Sequence, residues 1–399
     1  NAVEYYSPYL KIMEEEWATL LPESIQKMKK VEDQTGYELT LFWLASKMND
    51  CHTMLLDGET TMLTLAEDST QLQLLCGYFG ENFAPVKLVT VDHQPVVAAV
   101  GAENCPLMIG DVILKLDDED IRKVIDRKKE YIPIPNVEKL STLYPYLLTS
   151  KEDMMELTVL RNGKEKTFSV TASPENYASC YLSLRHQHNE GMSYQITDDN
   201  IGLIQLQNPL EISVKEMMEQ LKDTDGIVID LRQGIQPTFD ISNFHRYFCS
   251  DYQSAAQMIV PSQAIPGAYQ SILSSAGSTQ TEREMLGIYF YQKPVVLLVN
   301  ENVVSSGEYA AMLMSAGENV VLLGENTRGA DGNVAYLPLP GNLQITFSSM
   351  GVFGPNMEQV QRIGLTPDIE VHPTIKGIKE GRDELMEAAV AYIQEQNAK

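Results

Sequence analysis

The stretch from Val295 to Gly324 constrains this chain more than any other. The apolar run Val295-Val296-Leu297-Leu298-Val299, bounded by polar residues, reads as a buried strand. A small polar turn, Ser305-Ser306-Gly307, follows it. Tyr309, Met312, Leu313 and Ala316 then recur at i, i+3, i+4 and i+7, one face of a helix that Gly317 is placed to end. Val320-Val321-Leu322-Leu323 is a second buried strand, closed by Gly324-Glu325. A strand, a tight turn bearing a hydroxyl and a helix can present a nucleophile. The helix N-terminus leaves free N–H groups and a partial positive charge beside the serine, and such groups hold an oxyanion during acyl transfer. The same residues fit a plainer role, with Ser305 as N-cap and Glu308 completing a capping box.

More residues join this pattern. Asn300 follows the first strand, Gly324-Glu325-Asn326-Thr327-Arg328-Gly329 closes the second, and the tail carries Gly364-Leu365-Thr366-Pro367-Asp368 and Gly381-Arg382-Asp383-Glu384-Leu385. In this order they resemble the tail-specific, C-terminal-processing and tricorn-type serine peptidases. The likeness spans about His52 to Tyr392 and is strongest after Gly226. It implies that Ser305, three residues before a helical glutamate, is the nucleophile, and that the Ser306 N–H is one oxyanion donor. Asp230-Leu231-Arg232 is similar to the family's strand end, whose following loop supplies the second donor. The family's Gly-Gly pair falls on Gln236 and Pro237, and proline has no N–H; Gly234 is the nearby glycine that would serve. A structural ion pair or loop anchor is the preferred reading of Asp230 and Arg232 themselves.

Serine needs a base to take its proton. In one branch of the family that base is a lysine, whose position here holds Ala330, which excludes a Ser-Lys dyad there. Arg328 is a poor substitute because its guanidinium stays protonated. The other branch uses histidine, oriented by a hydroxyl and a distant glutamate. Asp50-Cys51-His52 resembles its Asp-Ser-His segment, which makes His52 the base, puts Cys51 at the hydroxyl position and places Gln361 where the glutamate stands. An ordinary surface-loop histidine is the plainer reading of His52.

The 399 residues are expected to form a multidomain α/β chain: an N-terminal helical domain (1–80), a PDZ-like β-rich domain (81–172) and a catalytic domain (173–399). By resemblance, that last domain has the family's crotonase-like ββα fold. In the first region Pro22 is expected to break a helix, with a second segment over Ser24 to Val31 and a third from Glu38 to Met48. Ile109-Gly110-Asp111-Val112-Ile113-Leu114 resembles the Gly-Asp-x-Ile core of a bacterial PDZ domain, and Asn162-Gly163 marks a hairpin. Arg122 to Pro135 reads as a charged flexible loop, the aromatic stretch Phe239 to Phe248 as an amphipathic helix around a structural His245, and Ser271 to Thr281 as a polar, mobile segment. Pro266-Gly267 reads as a loop. His186 and His188 form a His-x-His pair without a third ligand nearby in sequence, so no metal and no cofactor are expected.

A net charge of −25 argues against nucleic-acid and anionic-membrane surfaces as partners. No apolar run reaches the roughly 18 residues of a membrane span. Five scattered cysteines with no Cys-x-x-Cys argue against a zinc site or a dense disulfide framework. No signal-peptide pattern begins at Asn1, and a chain starting without Met reads as a processed or truncated form. The resemblance implies export to a bacterial envelope, periplasmic or extracellular, and a peptide or unfolded protein as substrate. Two readings follow: a serine endopeptidase working through an acyl-enzyme with Ser305 and His52, or a catalytically impaired peptide-binding protein on the same scaffold. An esterase or lyase on a related scaffold is weaker, because Gly-x-Ser-x-Gly is absent.

Overall fold

The structure, a computed structural model, describes residues 7–9, 14–59, 70–134, 140–177, 180, 193–208, 210–236, 239–262, 264, 265 and 267–399. His186, His188, Pro237 and Pro266 lie outside them. The architecture is mixed α/β, and its contacts divide the chain into two units. The first holds residues 1–186, 334–349 and 374–382; the second holds 187–333, 350–373 and 383–399.

In the first unit, Val86–Val91, Gln94–Val100, Val112–Leu116, Met154–Arg161 and Lys164–Thr171 form an antiparallel sheet in that order. The Asn162-Gly163 hairpin turns through two left-handed residues, as its sequence dictates. A second sheet pairs Leu55–Asp57 with Leu343–Ser348, and that strand with Val334–Leu339. It brings a late segment of the chain against the loop that carries His52.

Several expectations fail, each for a local reason. Pro22 lies inside one helix, Glu14–Met28, at the expense of one intrahelical hydrogen bond. The segment expected as a loop from Arg122 is the helix Ile121–Lys129, capped by Asp120 Oδ1 on the Arg122 N–H (2.9 Å). Its apolar stripe is completed by the stem of Lys128, buried beside Ile121 and Val124, whose ammonium donates to the carbonyls of Tyr146 and Leu147 and to Thr149 Oγ1. In the second unit, most of the segment expected to be mobile is the strand Tyr269–Ala276, paired along its length with Gln253–Pro261. The aromatic stretch there is a short helix, Ile241–Phe244, and a 3-10 turn, His245–Tyr247, rather than one amphipathic helix. His245 is structural: its buried Nδ1 accepts from the Gly277 N–H at 3.0 Å, and burial lowers its pKa to about 4.

The second unit is built on a six-stranded sheet: Tyr194–Ile196, Ile201–Gln205, Gly226–Asp230, Val295–Val299, Val320–Gly324 and Ile369–Glu370. Only the first pair is antiparallel. Its two central strands are buried at every residue, which is why they read as unbroken apolar runs. The helix Val214–Leu221 begins with the Ser213–Glu216 capping box, and Glu384–Asn397 packs Leu385, Ala389 and Ile393 on the sheet. Arg232 binds Asp230 and Asp383 together, Nη2 reaching each at 2.7 Å. It thus ties a strand end to the start of that last helix, the structural ion pair read from sequence.

At the far edge of the sheet, His372 meets Glu325 through Nδ1 (2.9 Å) and Glu370 through Nε2 (2.8 Å). The Glu325 carboxylate raises its pKa above the ordinary 6.5, and Glu370 adds to this against the effect of burial. A raised histidine pKa gives stability that is complete below pH 6.5 and lost as pH rises through the folded value. The bridge is exposed, so its worth is small. The gap in Tm between wild type and His372→Gln is expected to be about a degree or two near pH 6 and to close by about pH 8.5. Thermal melts across that range check it; a gap that widens with pH would contradict it.

Candidate active site

The turn after Val295–Val299 is shaped by its own polar groups. Asn300 Oδ1 accepts the Asn302 N–H (3.0 Å) and Asn300 O accepts the Val303 N–H (3.0 Å). The Arg328 guanidinium holds Glu301 O (2.8 Å) and its N–H holds Val303 O (2.9 Å). The chain then reaches Ser305 with φ 55° and ψ −122° and enters the helix Ser306–Ser315. That conformation is costly for a residue with a Cβ, on the order of 1–3 kcal/mol. Its N–H is pinned to Ala330 O at 2.8 Å.

The capping box suggested by Ser305 and Glu308 does not form. Ser305 makes no side-chain cap bond, and among the described residues its Oγ has no hydrogen-bond partner. Glu308 is fully buried and turned to the opposite loop, where its carboxylate accepts Thr327 Oγ1–H (2.5 Å) and the N–H groups of Gly329 (2.8 Å) and Ala330 (2.9 Å). Burial raises its pKa, with those donors and the Ser305 N–H opposing. Beside it, burial, with the Glu308 carboxylate adding, pushes Asp331 well above the ordinary carboxylate range. Thr327 passes the tie onward by accepting the Leu365 N–H (2.7 Å). This accounts for the tail signature: Gly364 sits at φ 85° with the Thr327 carbonyl where a Cβ would be, and Asp368 Oδ2 holds the Leu322 N–H (2.9 Å).

At the helix start the Ser306 N–H is free among the described residues, as a first-turn donor is. In the neighbouring loop the Gly234 N–H is already spent on Leu231 O (3.0 Å). Gln236 is held to Leu206 O, while Gln233 and Ile235 have N–H groups with no acceptor among the described residues. Gln361 is buried in the same unit as Ser305, and its Oε1 has no partner among the described residues.

His52 belongs to the other unit and is also buried. Its Nδ1 is 2.9 Å from Ser348 Oγ. Asp50 fastens the pair by accepting the N–H groups of His52 and Ser348, both at 3.0 Å, and its Oδ1 is 3.9 Å from Nδ1. Thr346 Oγ1 adds a bond to His52 O (2.5 Å). With the proton on Nδ1 donated to Ser348, Nε2 keeps the lone pair of a base. The hydroxyl beside the ring is therefore Ser348. It stands 296 residues from His52, and no sequence spacing could have found it. All five cysteines are thiols rather than disulfides, Cys51 being half-buried.

Removing the Glu308 carboxylate strands three buried donors. Glu308→Ala is expected to cost about 3 kcal/mol and to lower Tm by several degrees. An unchanged melt would mean that the carboxylate does not hold the 327–330 loop.

The family model of Peptidase family S41 matches residues 250–371. The mature CPAF crystal structure superposes with a TM-score of 0.68 and 11% identity, over 99% of this chain and 94% of that one. CPAF complexed with lactacystin gives 0.64 and 11%, over 94% and 90%. The photosystem II D1 C-terminal processing protease gives 0.46 and 15%, over 91% and 90%, a likeness too low to bear on the argument. At such identities the likeness to CPAF is one of fold. No relative among curated proteins matches the chain. The Ser305 turn, the Glu308 clamp and the Gly364–Asp368 signature all lie within the matched segment, whose similarity to Peptidase family S41 supports a serine-type peptidase.

Proposed function

We propose that the chain is a serine endopeptidase that cleaves peptides or unfolded proteins through an acyl-enzyme on Ser305. The observation that carries this is the strained, uncapped Ser305 at a strand-to-helix turn, beside the free N–H of Ser306. In the reaction His52 Nε2 takes the Ser305 proton as Oγ attacks the peptide carbonyl. The carbonyl oxygen becomes an oxyanion held by the Ser306 N–H. Collapse breaks the C–N bond, and His52 returns the proton to the leaving amine. Water then attacks the ester by the same route and frees Ser305. Ser348 and Asp50 keep the imidazole in the required tautomer, and Asp50 favours the imidazolium. A neutral Gln361 supports that cation less well than a carboxylate. The second oxyanion donor comes from the loop 231–236, from Gly234 once its turn bond opens, or from Ile235.

The remaining finer readings rest on resemblance: a PDZ-like domain that binds a peptide end by strand addition, a crotonase-like catalytic fold, and a place in a bacterial envelope. A non-catalytic peptide binder on this scaffold is the second reading. The spent Gly234 N–H and the amide at Gln361 favour it.

A fluorophosphonate probe is expected to label the wild type and neither Ser305→Ala nor His52→Ala. No labelling of the wild type, together with tight peptide binding, would favour the second reading. Ser348→Ala is expected to lower kcat/KM about tenfold with Tm little changed. Steady-state kinetics at wild-type level would remove Ser348 from the mechanism.

A further inference from the structure

Just past the strand Ile201–Gln205, at the carboxyl edge of the six-stranded sheet, Gln207 is 8% exposed. Neither its Oε1 nor its Nε2 has a hydrogen-bond partner among the described residues. A carboxamide left with its acceptor and its donors both unmet costs about 1–3 kcal/mol for each group. Folded proteins rarely keep such a group unless something binds it. An apolar residue of the same size would fill the space without that cost. The carbonyls beside it are taken: Gln236 N–H donates to Leu206 O (2.8 Å) and Gln236 Nε2 to Gln207 O (2.7 Å). These bonds come from the loop proposed to supply the second oxyanion donor.

The topology gives the ligand a class. In open parallel sheets, ligands gather beyond the carboxyl ends of the strands. Gln207 leaves the end of one strand, the 231–236 loop leaves the next, and the turn to Ser305 leaves the third. Two strand spacings are about 10 Å, which an extended peptide covers in about three residues. A carboxamide offers one donor and one acceptor side by side, the complement of a backbone N–H and C=O in an extended chain.

We propose that Gln207 binds the main chain of the substrate peptide, about three residues from the bond that meets Ser305. The inference rests on the peptide-binding half of the reading above and not on turnover. Both amide atoms are shielded in this structure, so the peptide reaches them when the Gln236 clasp on Leu206 and Gln207 lifts. Opening the clasp couples substrate docking to the loop that carries Gly234.

The test uses the full chain with Ser305→Ala, so that binding is measured whether or not the parent chain cleaves. The probes are an extended peptide and a set of depsipeptides, each with one backbone amide replaced by an ester. Fluorescence anisotropy gives Kd with Gln207 present and with Gln207→Met. One ester position is expected to weaken binding to the Gln207 chain about tenfold. Gln207→Met should lose the same factor on the all-amide peptide and be indifferent to that ester. Its Tm should hold or rise, since a thioether replaces an unmet amide. Equal Kd values for the Gln207 chain and its Gln207→Met variant would overturn the proposal, as would absence of any peptide binding. So would a fall in Tm with a loss spread evenly over every ester position, the mark of a structural role. Failure of the catalytic reading alone would appear as fluorophosphonate inertness of the wild type beside an intact Gln207 effect on Kd.

Discussion

The buried carboxylate of Glu308 is the interaction on which the Ser305 turn depends. An ionised group out of water is costly, and here three directed donors offset that cost: the Thr327 hydroxyl and the N–H groups of Gly329 and Ala330. In return the carboxylate locks the helix after Ser305 to the loop after the next strand. Ala330 O then holds the Ser305 N–H, and Thr327 holds Leu365. A serine can be kept at φ 55° only where its surroundings over-determine it, and this closed set of bonds does so.

His52, the proposed base, is held by the same physics in a different part of the chain. Asp50 accepts one N–H from the His52 loop and one from the strand Leu343–Ser348, which sets a hydroxyl against the imidazole. The family resemblance puts that hydroxyl on the residue before the histidine, which is Cys51 here. In the structure the hydroxyl beside the ring is that of Ser348, from across the sheet.

What the sequence made legible follows from period and burial. Buried parallel strands are continuous apolar runs, so Gly226–Asp230 and Val295–Val299, buried throughout, and the mostly buried Val320–Gly324 could be read directly. The hairpin at Asn162-Gly163 and the helix behind Ser213 announced themselves by turn and cap residues. The helix Ile121–Lys129 did not, because after Ile121, Val124 and Ile125 a lysine stem stands in for the fourth apolar residue of the stripe. Tyr269–Ala276 is mostly exposed and polar, a pattern shared with loops. At the candidate site, Ser305 was visible, but Glu308 was ambiguous: Ser-x-x-Glu spacing serves a cap and a clamp equally, and only the missing Ser305 side-chain cap bond and the partners on Thr327, Gly329 and Ala330 separate them. Gln207 was silent in sequence because nothing in a lone glutamine says that its amide will be buried without partners.

The most direct measurement is rapid-quench mass spectrometry of the full chain mixed with an activated peptide ester, followed by peptide mapping. A transient acyl mass increment is expected on the peptide that contains Ser305, formed and lost at rates compatible with turnover. Turnover of the ester with the increment on another residue, or with none at any time, would contradict the acyl-enzyme on Ser305.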